Sequence, residues 1–327
     1  LRRVSEKNRG LWQSIVTEGK TEIESLSTRY SHPEWITRAL RDALELDGRG
    51  DDLEELLRID NEPPKVSLAR IGDRRFFRSL VVTGQLKSQL NAETRITGVV
   101  ESQQASPIGA TLNSGDPSGL AEVKSGDWRI QDQGSQLAAL ALIRATEVSP
   151  SERWLDLCSG PGGKAVLLAA AARECGAELL CNELSPHRAK LVEDALRHSG
   201  LSANVVVGDA LELSVSATGK FDRILLDAPC TGLGALRRRP EARWRKAPKD
   251  LDDLCQLQEK LLRKAWDLLA PGGVLAYVTC SPLSAETIAP IAGLLKREAK
   301  NASIIDAWTP ILELNSSLLA NRSRKTV

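Results

Sequence analysis

Six cysteines occur in this chain of 327 residues, at positions 158, 175, 181, 230, 255 and 280, and two of them stand where chemistry is expected. Cys230 ends the run FDRILLDAPC, and Cys280 closes GGVLAYVTC. Each run carries the pattern of a short, apolar, parallel strand. In a doubly wound sheet the carboxyl ends of the strands converge on one crevice, which is where ligands bind. Upstream, WLDLCSGPGGK (154–164) reads as a strand, a glycine-rich turn and the start of a helix, so its backbone N–H groups can approach a ligand closely. A nucleotide-type cofactor loop and two thiols are therefore expected at one cavity. That combination points to methyl transfer onto a pyrimidine ring with a cysteine as covalent catalyst.

The chemistry explains the residue types. Carbon five of cytosine is a poor nucleophile, and adding a thiolate at carbon six makes it enamine-like and able to attack a methylsulfonium. A free thiol ionises near pH ~8.5, so a catalytic one needs help from its surroundings. Asp227, three residues before Cys230, is suited to stabilise protonation at ring nitrogen three. After methylation the carbon-five proton must leave and the thiol must be expelled; a second thiol could act as, or position, the base. Cys175, Cys181 and Cys255 read as buried small residues, and Cys158, though inside the loop, reads as packing.

The loop is neither GxGxxG nor a phosphate-binding P-loop, because Lys164 lacks a following Ser/Thr and the glycine spacing differs. Glu183, at the end of the next strand pattern, could accept both hydroxyls of a ribose, and Asp209, after the third, could hold an adenine amino group. A glycine turn followed by acids at the ends of strands two and three suits S-adenosylmethionine better than a pyrophosphate cofactor.

The elements that must position these residues follow a clear rhythm. From 131 onward, apolar strands alternate with amphipathic helices: a helix over 133–146, WLDLC, a helix from Gly163, ELLCNE, a helix over 185–199, NVVVGDA, FDRILLDAP, a helix across 251–269, and GGVLAYVTC. This predicts an α/β fold, a doubly wound, mostly parallel sheet covered on both faces. Residues 1–60 read as helical, with YSHPEWITRALRDALEL (30–46) and DDLEELLRI (51–59) as helices. Pro63-Pro64 marks a boundary. A small α+β module is expected over 61–130, with strands in KVSLARI and RITGVVE, and a further strand in SIIDAW (303–308). The domains expected are therefore 1–60, 61–130 and 131–327.

Composition narrows the class. Apolar content is 42% and charged content 27%, values ordinary for a soluble globular chain. No apolar run approaches the ~20 residues that span a bilayer. With three histidines, no CxxC pair and scattered thiols, neither a metal site nor a disulfide framework is expected, and a reducing cytoplasm is. The net charge of +1 does not signal nucleic acid, but its distribution does. Arg237, Arg238, Arg239, Arg243, Arg245 and Lys246 follow the DAPC run against the single acid Glu241. Arginines there could grip phosphates, and Trp244 could stack on a base. Reaching carbon five requires an unpaired or extruded base. The chain contains no methionine, even at position 1, as expected of a fragment.

LDLCSGPGGK, DAPCTGLGALRRRPEARW, VTCSPLSAET and the lead-in GDWRIQDQGSQLAAL together resemble the motifs of RNA 5-methylcytosine methyltransferases of the Nol/Nop/Sun family. YSHPEWI followed by NEPPKVSLARI is more specifically similar to the bacterial Sun (RsmB-type) branch. The resemblance covers roughly 30–306 and implies a class I, Rossmann-like methyltransferase using S-adenosyl-L-methionine on a cytidine of small-subunit (16S) ribosomal RNA. It implies that Cys280 is the nucleophile and Cys230 promotes product release, with Asp227 and Lys164 in the catalytic group. Cofactor contacts are implied for Cys158, Ser159, Gly160, Pro161, Gly162, Gly163, Lys164, Glu183, Arg188, Asp209 and Asp227, while the candidate RNA contacts are those read from the basic run itself, Arg237, Arg238, Arg239, Arg243 and Trp244. Members of this branch carry an all-helical NusB-like RNA-binding domain, of which 1–60 would be the last helices. A monomer is expected. Two rivals stand beside this reading: a DNA cytosine methyltransferase using Cys230, and an RNA-binding ribosome-assembly factor that keeps the fold without turnover. A nicotinamide dehydrogenase is disfavoured by the loop.

Overall fold

A computed structural model describes residues 18–83, 100–102, 106–298 and 301–306. The chain divides into two compact units whose segments interleave along the sequence. The first gathers residues up to Pro64 with Pro229–Glu259 and Thr279–Arg297, and the second gathers Lys65–Ala228, Lys260–Val278 and the residues from Glu298.

The first unit is helical. Thr21 and Glu24 form a reciprocal capping box that starts α1 (Glu22–Arg29). Pro33 precedes α2 (Glu34–Leu46), and α3 (Leu53–Ile59) follows one 3₁₀ turn. Ile36 and Leu40, like Leu53 and Leu57, are four apart on their helices and fully or almost fully buried. They share a core with Leu233, Leu236 and Leu283, so the segments just after Cys230 and Cys280 are anchored in the same apolar cluster as the N-terminal helices.

The second unit holds two sheets. Strands β1 (Val66–Arg70), β2 (Val100–Ser102), β3 (Gly109–Leu112) and β4 (Trp128–Ile130) form an antiparallel sheet in the order β2-β3-β1-β4. Of the strand expected in RITGVVE only the last two residues lie among those described, and they open β2. Asp132 caps α4 (Gln133–Arg144) through its side chain. Strands β5 (Arg153–Asp156), β6 (Glu178–Glu183), β7 (Asn204–Val207), β8 (Phe221–Asp227) and β9 (Leu269–Val278) then form a sheet in the order β7-β6-β5-β8-β9. Every pairing in it is parallel. The helices α5 (Gly163–Cys175) and α6 (Pro186–His198) make the crossovers on the β6/β7 side. All residues of α5 from Ala165 to Ala172 are buried, as an alanine-rich helix covered all round must be. The order reverses at β5, so the carboxyl ends of β5 and β8 form the switch point.

The strand expected in SIIDAW is not formed over 303–306, and 307–308 lie outside the described residues. The helix expected across 251–269 starts earlier, at Pro248, and forms α7 (Pro248–Leu268), while α8 (Ile288–Glu298) follows the Cys280 segment. The parallel strands stop at Asp227 and Val278, so the thiols lie three and two residues past their ends.

Candidate active site

At the switch point three titratable side chains meet within the second unit. Lys164, in the first turn of α5, places Nζ 2.7 Å from Asp227 Oδ2 at the end of β8 and 3.3 Å from Ser135 Oγ. Lysine and aspartate are largely sheltered, at 12% and 33% side-chain exposure. Beside them Asp156 ends β5, only 1% exposed, with neither carboxylate oxygen hydrogen-bonded. Burial pushes its pKa up to about 8, Asp227 and Glu183 raising it further and Lys164 opposing.

That shift carries a sign. An unfolded aspartate titrates near ~3.9, so between about pH 4 and 8 the folded chain binds the extra proton. Folding stability is therefore full below pH ~4, falls as the pH rises, and levels off above ~8. Asp156→Asn removes the ionisation, and its melting temperature should gain on the parent's as pH rises from 5 to 9, by the equivalent of a few kcal/mol. Parallel melting curves across that range would show that Asp156 ionises freely.

The loop between β5 and α5 is braced from below. Ser159 donates from Oγ to Asp156 O and from N to Asn182 O, and is 5% exposed. Gly160 N donates to Glu183 Oε2 at 2.9 Å, Ser185 N donates to Glu183 Oε1, and the Arg188 guanidinium donates to Gly160 O. Two glycines are required by close approach. A Cβ on Gly160 would lie 2.3 Å from Glu183 Oε2, and one on Gly162, at φ +97°, would lie 3.0 Å from Val192 Cα. Glu183 and Arg188 thus shape the loop directly, and Glu183 is 3% exposed. Asp209 accepts from Leu211 N in the turn after β7. Cys158 is pushed up to about 12, chiefly by burial, which removes it from nucleophilic chemistry and fits its reading as packing.

The sequence reading missed three members of this neighbourhood. Asn182 joins Leu157 O to Gly208 O, tying three loops together. Gln131, 7% exposed, has both side-chain polar atoms buried without partners and lies against Gly163. Asp156 itself stood in the LDLC motif, where an acid closing an apolar strand was the available signal.

In the first unit the two thiols meet. Cys230 Sγ and Cys280 Sγ are 3.4 Å apart, a hydrogen-bonding distance for sulfur. Cys280 is exposed and Cys230 half-buried. The S–H···S contact with Cys280, reinforced by burial, raises the Cys230 pKa and holds that thiol protonated. Cys175, Cys181 and Cys255 are all raised by burial, as inert packing cysteines should be.

The basic run divides. Arg237, Arg238 and Arg239 are exposed, and so is Trp244, at 63%. Arg243 corrects the expectation for this run. It is 2% exposed, its Nη1 donating to Asn61 Oδ1 at 2.8 Å and to Ser31 O, its Nη2 to Asp60 O. A planar guanidinium fits such a cage of backbone oxygens, and a side chain spent on binding α3's end to the loop before α2 cannot reach a phosphate.

Among the described residues no cluster of three or more His, Cys, Asp or Glu could hold a metal, and no helix is long and apolar enough to cross a membrane.

The parallel sheet, its glycine turn and the acids at its strand ends define the class I S-adenosylmethionine-dependent methyltransferase fold. Residues 144–320 match the family profile of the 16S rRNA methyltransferases RsmB/F, and the chain belongs to that family. A Mycobacterium tuberculosis protein named as a putative methyltransferase is 43% identical over 84% of this chain and 55% of its own length. Ribosomal RNA small subunit methyltransferase B of Escherichia coli strain 536 is 30% identical over 88% of this chain and 63% of its own. The chain thus spans between half and two thirds of these relatives. Among solved structures, a methyltransferase homologue from Pyrococcus horikoshii superposes with a TM-score of 0.65 at 23% identity, covering 85% of this chain and 83% of that one. NSun6 from the same organism gives 0.62 at 18%, covering 80% and 87%.

The residues present fit the cofactor of this class. Beside the glycine turn the buried side chains of Asp156 and Gln131 leave polar atoms without a partner, which the polar groups of a bound ligand can satisfy.

Proposed function

We propose that this chain carries the catalytic part of an RNA cytosine-5 methyltransferase acting on an unpaired cytidine of small-subunit ribosomal RNA. The observation that carries this reading is the thiol pair, two sulfurs 3.4 Å apart with one exposed and the other half-buried. A lone structural cysteine needs no such partner. A DNA cytosine methyltransferase working through Cys230 is disfavoured by the difference in exposure, because it would need the half-buried thiol rather than the exposed one as nucleophile.

Chain continuity supports joining the thiols to the cofactor loop. Cys230 follows Asp227, the last residue of β8, by three positions, and Cys280 follows Val278, the last of β9, by two. S-adenosylmethionine supplies an electrophilic methyl group, and the loop 158–164 with Glu183, Arg188, Asp209 and Asp227 would hold it. The Cys280 thiolate forms a bond to carbon six, and the ring electrons move to carbon five while nitrogen three takes up a proton from solvent. Asp227, kept oriented by Lys164 at 2.7 Å, accepts the N–H formed there. Once carbon five bears the new methyl group, its proton leaves to a base, the carbon–sulfur bond breaks, Cys280 departs as thiolate, and nitrogen three returns its proton to solvent. Cys230, in hydrogen-bond contact with Cys280, assists that departure. Arg237, Arg238, Arg239 and Trp244 would hold the RNA strand.

The test is to incubate the protein with S-adenosylmethionine and ribosomal RNA and to analyse the nucleosides. 5-Methylcytidine at a single site supports the reading. A methylated base other than cytosine, or methylation of DNA in preference to RNA, contradicts it.

A further inference from the structure

Glu286 lies six residues beyond Cys280, in the VTCSPLSAET motif, and is fully buried in the first unit. A buried carboxylate is costly unless several donors surround it. Here the donors come from residues that bracket the thiols. Thr231 N donates to Glu286 Oε1 at 2.8 Å, and Gln258 Nε2 donates to the same oxygen at 3.0 Å. The Thr231 hydroxyl donates to Glu286 Oε2. Gln258, also fully buried, donates to Pro229 O at 2.8 Å. Pro229 and Thr231 are the two neighbours of Cys230. On the other side, Thr231 Oγ1 lies 3.3 Å from Ser281 Oγ, the residue after Cys280, and Gly234 N donates to Cys280 O at 2.8 Å.

We infer that Glu286, with Thr231 and Gln258, is a positioning clamp that holds Cys230 against Cys280 and so enables release of the methylated product. The inference rests on the proposed two-thiol mechanism. The clamp fixes backbone on both sides of Cys230, where a displacement of ~1 Å is enough to cost a large factor in rate. Its failure should therefore look like a partial loss of Cys230, not a loss of RNA or cofactor binding.

The geometry also says what a conservative replacement does. Both N–H donors, Thr231 N and Gln258 Nε2, point at Oε1, which a glutamine retains as its carbonyl oxygen. The Thr231 hydroxyl can turn from donor to acceptor and receive the new amide N–H. Glu286→Gln should therefore keep most of the clamp, and Glu286→Ala should abolish it. Thr231→Val removes one hydroxyl and leaves the carboxylate in place, a milder lesion should the alanine variant not fold.

Two readouts test this on the full chain. The first is turnover: Glu286→Ala should lower kcat by about tenfold or more with KM little changed, and the covalent protein–RNA species should rise at steady state. Glu286→Gln should stay within about threefold, and Thr231→Val should fall between. The second readout is independent of RNA. Glutathione disulfide oxidises a close thiol pair: one thiolate takes one glutathionyl group and releases a glutathione, and the second thiol displaces the other glutathione with loss of its proton. The Cys230–Cys280 disulfide, mapped by mass spectrometry, should form readily in the parent and Glu286→Gln proteins and at least about tenfold more slowly in Glu286→Ala. If disulfide formation follows this order but no variant accumulates adduct, the clamp stands and the two-thiol mechanism falls. If Glu286→Ala folds and forms the disulfide as fast as the parent, or if Glu286→Gln is as impaired as Glu286→Ala, the clamp is wrong.

Discussion

Replacing Cys280 by alanine abolishes methyl transfer, by roughly 10⁴-fold or more, the loss expected when a covalent nucleophile is removed and only binding remains. The effect should fall on kcat. The side chain is exposed and contributes little to the fold, so the variant should melt at the parent's temperature and still bind S-adenosylmethionine. No covalent RNA species should form, because the sulfur that makes the bond is gone. Residual 5-methylcytidine above a few per cent of the parent's would mean that another group attacks carbon six.

The alanine variant at Cys230 behaves in the opposite way. The first bond still forms, methyl transfer still proceeds once, and the chain then stays attached to its product because the partner thiol at 3.4 Å is missing. A protein–RNA band that survives denaturation should accumulate towards one equivalent, with turnover falling by about 10²-fold or more. A second consequence separates the two thiols electrostatically. Cys230 is held protonated chiefly through its hydrogen bond to Cys280, so the pair behaves as one titrating unit. Removing Cys230 should change the pH dependence of alkylation at Cys280, whereas Cys255→Ala, a thiol outside the pair, should not. Covalent adduct from the Cys280 variant and none from the Cys230 variant would reverse the roles.

Much of this was legible in the chain because local signals and tertiary structure agree. The five parallel strands were readable as short apolar runs, since a sheet covered on both faces demands them, and the glycine turn was readable because Gly160 and Gly162 have no room for a Cβ. The pairing of Lys164 with Asp227 follows from two motifs ending at one switch point. What escaped depends on contacts between distant segments. Arg243 looks like its exposed neighbours in sequence, yet its guanidinium is caged by the oxygens of Ser31, Asp60 and Asn61. A run of charge carries no mark of which member turns inward. Leu233, Leu236 and Leu283 likewise give no sign that they share a core with helices near the start of the chain. Glu286 is the sharpest case. A glutamate at the start of a polar turn reads as surface, and only the convergence of Thr231 and Gln258 on it gives it a role.

The most direct test is to supply RNA in which the target cytidine carries fluorine at carbon five. Addition of the thiol and methyl transfer can proceed, but elimination would have to expel fluorine as a cation, so the covalent species is frozen at the stage before release. After protease and nuclease digestion, mass spectrometry should find the methylated fluoropyrimidine nucleotide on the peptide containing Cys280. Finding it on Cys230, or recovering turned-over RNA with no protein bound to it, contradicts the account.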